Sequence, residues 1–516
     1  MIKRRLNVML ILVLLVGLLA ACGGKNSDSN ASSNSSVVNN STSSNEDTDS
    51  SLNEAIKDPY EIAVAFPIFS SEYPDLAEVE AEISAITKEK INATVDLMPI
   101  SIGAYQQQMN LMSSGGEKLD LYLLFGQSYG ADVASGKLVG LNSLLDQYGQ
   151  DLVAQFEPEH LNSAKIKGEI YAVPVMQDFT TGVQGVMMRK DIVDKHNIDV
   201  SAIQSLEDLG KVYEIIKANE PDMTPLGIGL SGAAENYFWY DKLGDRYGVL
   251  PGFDNDLQVV NLFESDEYEQ FLNTMNSWFN AGYINKDAST NETNGADFIK
   301  SGKYFSYFTP NKPGQVATET VNNGTEMVFA AVSPEAVSTT SNILLTMYGI
   351  SANSKNPERS AMFLNLLYSD ADIANLFLNG IKDKHYVVQD NGTVDYPEGF
   401  DRSSVGYKYE DWLVGNSFIA YSHVSTGPDI IEKLRETNKN ALKSKALGFV
   451  FDSEPVKNEI TALNNVVEQY SDILETGTIA ASEKLEEFRS KLKAAGIDKV
   501  IAEKQKQLDE WAAANK

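Results

Sequence analysis

Apolar positions recur with two different periods along residues 58–125. Short apolar runs predict strands over 62–66, 93–98 and 119–125, the last of them apolar on both faces as in a central strand. Asp75 and Glu78 form a helix-start signature, and a helical stripe follows at Leu76, Val79, Ile83, Ile86 and Ile91. A second helix, rich in Gln and Met, is predicted over 105–112. This alternation predicts a parallel sheet of an α/β fold.

Ligands of parallel α/β sheets approach the carboxyl ends of the strands. These ends correspond to the loops 67–73 and 126–129. Gln127 and Ser128 lie in the second loop and are candidate ligand contacts.

A second α/β region is predicted beyond residue 173. Strands are expected at 173–175 and 185–191 around a crossover at 180–185, and further on at 304–308, 328–332 and 344–351. Helices are expected over 206–219 and 268–281, and another begins at Asn356-Pro357 with Pro at its first position. From Ser482 onward two amphipathic helices are separated by Gly496.

The amino terminus predicts export. Lys3, Arg4 and Arg5 precede an apolar run over 6–21, which is shorter than the ~20 residues of a spanning helix, so 1–21 is interpreted as a secretory signal. Leu19-Ala20-Ala21-Cys22 resembles the bacterial lipobox. This resemblance implies cleavage before Cys22, diacylglycerol on its thiol and acylation of its amine, hence a stable lipid anchor. Residues 22–57 are then a lipidated, disordered tether, since 25–53 contain 11 Ser and 7 Asn.

Charge and cysteine content exclude several classes of partner. The 72 acidic and 42 basic residues give a net charge of −30, which argues against nucleic acid and against a polybasic membrane contact. A single Cys excludes a disulfide framework and a cysteine metal site. The run Asp254-Asn255-Asp256 lacks the glycine and glutamate of an EF-hand loop and is interpreted as an acidic turn. No metal and no cofactor are expected.

Several segments together resemble a known family. The segments 168–174 (GEIYAVP), 185–198 and 355–370 are similar to the extracellular solute-binding lipoproteins of ABC importers. The segments 380–386, 412–416, 447–457 and 492–498 resemble a carbohydrate-type subfamily with an uncharacterised C-terminal domain. Arg189-Lys190-Asp191 departs from the Tyr-Asn-Lys/Arg-Asp of many relatives, so a ligand contact from that aromatic is not expected here.

The resemblance implies a two-lobed periplasmic-binding-protein-like fold of type II, with a hinge and C-terminal helices. Lobe one would hold 58–180 and 345–410, lobe two 185–340, and a C-terminal helical region 411–516. Such a protein is expected to be a monomer that is lipid-anchored on the outer face of a bacterial cell membrane, of Gram-positive type. It would close on a sugar or oligosaccharide and deliver it to a membrane permease. Oligopeptide binding is the alternative.

Sugar sites combine flat aromatic rings with Asp, Asn, Gln and Arg. Trp278 and Trp511 lie on helical stripes and are interpreted as core, which leaves Trp239 and Trp412. The candidate ligand contacts are therefore Trp239, Tyr240, Trp412, Asn416, Gln177, Asp178 and His385, in addition to Gln127 and Ser128. The structural alternatives are core rings for Trp239 and Tyr240, a wedge between lobes for Trp412 with Asn416, a solvated turn or hinge cap for Gln177-Asp178, and a hydrogen-bonded structural role for His385.

Catalytic motifs are not found in the sequence. It contains no Gly-x-Ser-x-Gly elbow, His-Glu-x-x-His helix or phosphate-cradling Gly-x-x-x-x-Gly-Lys loop. The chain is therefore expected not to be an enzyme, with a surface glycoside hydrolase as the weaker alternative.

Overall fold

The computed structural model describes residues 55–69, 72–229, 232, 234, 237–238, 240–252, 254–333 and 335–515. The predicted signal, Cys22 and most of the tether lie outside the described residues, as does Trp239. Among the described residues, no helix combines the length and the apolar character needed to cross a membrane.

Lobe one is built on a sheet of five strands in the order β2-β1-β3-β12-β6. The strands are β1 Tyr60–Ile68, β2 Ala93–Ser101, β3 Leu121–Phe125, β6 Ala172–Pro174 and β12 Thr346–Ile350. β1 pairs in parallel with β2 and β3, while β12 runs antiparallel to β3 and to β6. The predicted parallel opening of the sheet is therefore confirmed. β1 is buried from Ile62 to Ile68 because helices cover both faces of the sheet.

Lobe two is built on a sheet of four strands in the order β10-β7-β9-β8. The strands are β7 Val183–Arg189, β8 Thr224–Gly227, β9 Tyr304–Asn311 and β10 Met327–Ala331. β7 runs antiparallel to β9 and β10, and β8 is parallel to β9. Shorter pairs are β4 Lys165–Ile166 with β5 Glu169–Ile170, β13 Val387–Val388 with β14 Val394–Asp395, and β11 Val337–Ser338 with β15 Leu442–Lys443.

The helices follow the amphipathic stretches. They are α1 Leu76–Ile91, α2 Ile102–Gly115, α3 Gly126–Ala134, α4 Asn142–Tyr148, α5 Gln150–Val153, α6 Pro158–Asn162, α7 Lys190–Lys195, α8 Leu206–Asn219, α9 Asp266–Asn280, α10 Gly295–Lys300, α11 Gln315–Asn323, α12 Thr340–Ile343, α13 Pro357–Ser369, α14 Ala371–Asn379, α15 Ile430–Asn440, α16 Lys457–Glu475, α17 Ala481–Ala495 and α18 Ile497–Ala514. Short 3-10 turns are Val200–Ala202, Leu262–Glu264, Ala288–Thr290, Asp411–Leu413, Ser417–Ile419 and Glu454–Val456.

Two of the predicted helix starts are confirmed. Pro357 occupies the first turn of α13, and the Asn356 side chain accepts from the Arg359 N–H. α1 begins at Leu76 as predicted, although the Asp75 side chain makes no capping hydrogen bond there.

One sequence prediction is wrong: residues 126–129 form the first turn of α3 instead of a loop. Strand β3 runs directly into this helix at Gly126, whose N–H donates to the Leu345 carbonyl. A Cβ at this position would overlap the Leu344 carbonyl oxygen, so the close approach of these two backbone segments requires glycine.

The chain passes between the two lobes along three segments. We name these the first crossing (175–182), the second crossing (332–345) and the third crossing (441–455). The first and second crossings are joined by the Thr181 N–H bond to the Val337 carbonyl, at 2.8 Å. The second and third are joined by the parallel pairing of β11 with β15. The three crossings therefore form one connected hinge.

The segment predicted as a C-terminal helical region packs in two parts. Residues Leu413, Val414, Phe418 and Ala420 belong to the core of lobe one. Helices α16, α17 and α18 instead complete the core of lobe two, where Phe488 contacts Phe263 edge to face. Between these parts, Leu447 and Val450 pack against the core of lobe one, and Ala446 and Phe449 form a separate cluster with Leu243, Leu250 and Leu508.

Candidate functional site

The carboxyl ends of the parallel strands lie along one edge of the lobe-one sheet, and ligands of α/β folds bind at such an edge. Ile68 is opposite Ser101, so β1 and β2 end at the same edge. Thr346, the first residue of β12, is opposite Phe125, the last residue of β3. The crossings toward lobe two begin at this same edge, because Pro174 at the end of β6 is opposite Met347.

Large apolar side chains are exposed along this edge. Phe69 directly follows β1 and is 50% exposed, Ile102 follows β2 and is 37% exposed, and Leu345 precedes β12 and is 49% exposed. The ring of Trp412 lies 5.6 Å from the ring of Phe69. We call these four side chains the edge platform. Exposed apolar surface of this kind marks binding sites more often than ordinary surface.

Thr346 connects two of the predicted site residues. Its hydroxyl accepts a hydrogen bond from Gln177 Nε2 at 3.2 Å and donates one to the Trp412 carbonyl at 2.9 Å. Thr346 is fully buried. The structure therefore brings Gln177 and Trp412 together at the base of the first crossing, next to the edge platform.

Asp178 links the first crossing to lobe two. Its Oδ1 accepts from the Thr180 N–H at 3.1 Å and from the Thr180 hydroxyl at 2.9 Å. Its Oδ2 lies 3.2 Å from the ammonium of Lys312, which directly follows β9. This ion pair does not have hydrogen-bond geometry, so the buried Oδ2 retains its capacity to accept a hydrogen bond.

Two further acceptors lie at the adjoining edge of the lobe-two sheet. Asn311, the last residue of β9, is opposite Val183, the first residue of β7. Asn311 Oδ1 and Gln184 Oε1 are buried and have no hydrogen-bond partner among the residues that the structure describes, while Gln184 Nε2 donates to the Thr181 carbonyl at 3.0 Å. Buried acceptors without donors are costly unless a ligand or water supplies the donor. Together with Asp178, these residues form an acceptor-rich rim at the hinge.

A cavity of about 440 Å³ lies beside this rim. Its walls come from lobe two, from the second and third crossings and from α15. The lining residues are Val183, Pro313, Glu335, Ala336, Lys433, Glu436, Thr437, Asn440 and Ala441. The volume is in the range of small-molecule sites.

The remaining predicted contacts are placed differently. Gln127 is exposed in the first turn of α3, whereas the Ser128 hydroxyl lies 3.0 Å from both the Phe125 carbonyl and Asp132 Oδ2. Tyr240 is half-buried in lobe two, and burial, reinforced by Glu267, raises the pKa of its phenol to about 12. Its ring packs 5.7 Å from that of Phe238.

His385 and Asn416 are engaged in internal hydrogen bonds. His385 Nδ1 accepts from the Ile381 N–H at 2.8 Å, and Nε2 lies 3.0 Å from Asp75 Oδ2. Asn416 is fully buried, donates to the Tyr368 carbonyl at 2.8 Å and accepts from the Phe418 N–H at 3.0 Å. These contacts favour structural roles for both residues. For His385 this is the hydrogen-bonded structural alternative stated above.

Sequence pattern alone does not identify Phe69, Leu345, Lys312 or Asn311 as site residues. Phe69 lies in the loop 67–73 that was predicted to face ligands, so an aromatic directly after a buried strand was the available signal. Lys312 and Asn311 have no such local signal, because only the register of β9 against β7 places them at the hinge.

Within the described part of the chain, no group of three or more His, Cys, Asp or Glu side chains could hold a metal ion. Asp254, in the run predicted to be an acidic turn, pairs with Lys445 at 2.9 Å.

Comparison with known proteins adds a family context. A model described as bacterial extracellular solute-binding protein matches residues 70–374, more than half of the chain, and one for a domain of unknown function matches residues 445–513. A carbohydrate ABC transporter substrate-binding protein from Streptococcus pneumoniae serotype 4 is 29% identical over 446 residues, which are 85% of this chain and 89% of the relative.

Solved structures resemble this chain over most of its length. The crystal structure of an N-glycan transport solute binding protein from Streptococcus pneumoniae has a TM-score of 0.79 at 26% identity, covering 89% of this chain and 100% of that one. The same protein in complex with Man5GlcNAc has a TM-score of 0.69 over the same shares. A solute-binding protein from Bifidobacterium longum infantis shares the fold with a TM-score of 0.62 at 16% identity, over 88% of this chain and 99% of its own.

Proposed function

Because this chain belongs to the family of bacterial extracellular solute-binding proteins, we propose that it captures an oligosaccharide outside the cell and delivers it to the membrane permease of an ABC importer. Family membership confirms the resemblance noted in the sequence, and the solved relatives confirm the two-lobed α/β fold. The curated relative is a carbohydrate-binding component, and the solved relative binds Man5GlcNAc. Both support sugar as the cargo.

The single observation that carries the proposal is that two kinds of surface meet at the hinge, one at the edge of the lobe-one sheet and one at the adjoining edge of the lobe-two sheet. The edge platform offers apolar side chains, two of them aromatic, and the hinge rim offers buried acceptors from Asp178, Gln184 and Asn311. Sugar rings present apolar C–H faces together with many hydroxyl donors, so they match both surfaces at once.

Transport requires that ligand binding change the shape of the protein. A ligand that contacts both lobes only when they are closed shifts the equilibrium toward closure by its differential affinity. The connected hinge allows this motion, since all three crossings lie side by side. We propose that Phe69, Trp412, Gln177 and Asp178 bind the sugar from the lobe-one side and hinge, with Asn311 and Tyr240 from lobe two. Gln127, and Trp239 outside the described residues, remain further predicted contacts.

The family consists of transporter binding components, and on that ground we assign no catalytic step to this chain. Oligopeptide binding remains the competing function. A peptide receptor needs fixed charges for the two peptide termini, whereas the rim described above carries hydrogen-bond acceptors and an internally paired lysine.

A thermal-shift and calorimetry screen tests the proposal directly. The exported chain lacking residues 1–21 is titrated with neutral mannose-containing oligosaccharides and, in parallel, with a pool of short peptides. Sugar at 100 times its dissociation constant should stabilise the protein by ~2.7 kcal/mol. X-ray scattering should show a more compact particle with sugar. Stabilisation by peptides alone, or hydrolysis of the sugar during the titration, would overturn the proposal.

We further propose that Cys22 carries the lipid that holds the protein at the outer face of the membrane, consistent with the extracellular family. Cell fractionation of the producing bacterium should find the native chain in the membrane and the Cys22→Ser variant in the medium or uncleaved. Equal membrane retention of a cleaved C22S chain would contradict the anchor.

A further inference from the structure

The Asp178–Lys312 ion pair joins the first crossing to lobe two, beside the proposed sugar site. Asp178 belongs to the first crossing and Lys312 to the end of a lobe-two strand. The Asp178 side chain is 4% exposed and that of Lys312 is 40% exposed. The lysine ammonium is therefore accessible from the solvent side, while the carboxylate that neutralises it is fixed from within by Thr180.

We propose that this pair makes the site selective for uncharged glycans, because Asp178 neutralises the ammonium that would otherwise bind the carboxylate of an acidic glycan. The inference rests on the proposed sugar-binding function and specifies its substrate class. A lysine ammonium beside an open cleft is a natural partner for a carboxylate. Asp178 occupies that partner position within the protein itself, at 3.2 Å.

The neighbouring side chains act in the same direction. Asp178 Oδ2, Asn311 Oδ1 and Gln184 Oε1 are acceptors that need donors, and hydroxyl groups supply them. An ionised carboxylate has acceptors only, so it leaves these atoms unpaired and adds repulsion from Asp178.

The cavity beside the rim also disfavours anions. Glu335 and Glu436 line it, and the ammonium of Lys433, on the same wall, lies 3.2 Å from Asp429 Oδ2. An acidic ligand entering here would meet two carboxylates and a lysine that already has a partner. A neutral ligand meets no such penalty.

The test compares one neutral oligosaccharide with the same oligosaccharide in which one primary hydroxyl has been oxidised to a carboxylate. Wild-type protein should bind the neutral form at least 10-fold more tightly. Asp178→Asn keeps the side-chain shape but frees the Lys312 charge, so it should raise affinity for the acidic form about 10-fold, and added salt should reduce this gain. Lys312→Met leaves Asp178 unneutralised and should widen the preference for the neutral form.

Asp254→Asn is the control, because it frees Lys445, whose 41% exposure matches that of Lys312, from an exposed ion pair at 2.9 Å outside the rim. It should leave the ratio of affinities unchanged. Equal wild-type affinity for the two sugars, or the same response in D178N and D254N, would overturn the inference. If D178N does not fold, as judged by its melting curve, a K312M protein that fails to widen the preference overturns it instead. Failure of the proposed function is distinguishable, since neither sugar would then bind any variant.

Discussion

The ammonium of Lys504, on helix α18, lies 2.8 Å from Asp245 Oδ1 in lobe two. Lys504 is fully buried, and its Nζ also donates to the Gly248 carbonyl at 3.0 Å. Burial lowers the pKa of this lysine, while Asp245 favours its charged form. Helix α18 therefore holds the loop 241–248 in place through an ion pair and a hydrogen bond. This loop directly follows Tyr240 of the proposed site.

Replacing Lys504 by Met should destabilise the protein by about 3 kcal/mol, because the Asp245 carboxylate and the carbonyl groups of Lys242 and Gly248 lose their buried partner. Urea unfolding followed by circular dichroism measures this. Lys506→Met is the matched control, since that side chain is 61% exposed on the same helix and forms an ion pair with Glu503, three residues earlier in the chain. Equal unfolding free energies for K504M and K506M would show that the buried pair does not hold the loop.

Alanine at Phe69 or at Trp412 should weaken sugar binding about 3- to 10-fold each, the loss of a ring contact of ~0.5–1.5 kcal/mol. Isothermal titration calorimetry measures the change. Phe400→Ala serves as the control, since Phe400 is 53% exposed in lobe one and does not belong to the edge platform. Affinities that stay at the wild-type value in both platform variants would remove these rings from the site.

Thr346→Val should retain the fold, lower the unfolding free energy by ~1–2 kcal/mol, and weaken sugar binding, because Gln177 and the Trp412 carbonyl both lose the hydroxyl that orients them. Thr346→Ser keeps the hydroxyl and should restore the affinity. Differential scanning calorimetry and titration with sugar separate the two effects. A T346V protein with lower stability but wild-type affinity would show that this hydrogen-bonded link serves the fold alone.

Acid should weaken the fold through Asp75. The His385 hydrogen bond, with Lys384 beside it, lowers the pKa of the Asp75 carboxyl below its ordinary value. The folded state therefore holds this proton less readily than the unfolded state, so the stabilisation is complete above the unfolded pKa of ~3.9 and is lost as pH falls through the folded value.

Asp75→Asn removes this contribution. The difference in unfolding free energy between wild type and D75N should shrink as pH falls from about 5 to about 3. Glu89→Gln, an exposed change on the same helix, is the control and should show no such convergence. A difference that stays constant over this range would contradict the role assigned to the pair. His385→Ala should lower stability without changing sugar affinity. An unchanged affinity would show that His385 does not contact the ligand.

Local periodicity was sufficient to predict most elements of the two sheets. Leu206–Asn219 is a helix over the predicted residues, β1 and β2 include the predicted strands, and β3 covers residues 121–125 of the predicted 119–125. These segments were predictable because their apolar spacing is set by the face that each buries. The bounds of the helix Lys457–Glu475 are not predicted from the sequence. One face of this helix packs against the core of lobe two, whose other residues are far away in the sequence.

The site was less predictable, for a physical reason. Gln177 and Trp412 are 235 positions apart and meet only through Thr346, so their relation is tertiary. His385 and Asn416 resemble site residues in sequence because they are polar groups among aromatics. In the structure, His385 instead forms a hydrogen bond with Asp75, and Asn416 donates one to the Tyr368 carbonyl, both partners being far away in the sequence. Sequence pattern identifies polar groups, but the register of the strands decides which of them face a ligand.

The core of lobe two combines residues from the middle of the chain with residues near its end, and it can be completed only late in synthesis. Val186 and Leu226 share that core with Leu463, Phe488 and Val500. Ribosomes add about 5–20 residues per second, so the early part of lobe two waits many seconds for the segments that complete it. Until residue 500 has emerged, its apolar surface has no native cover. An export machinery that threads unfolded chains would therefore receive this lobe before it can become too compact to pass.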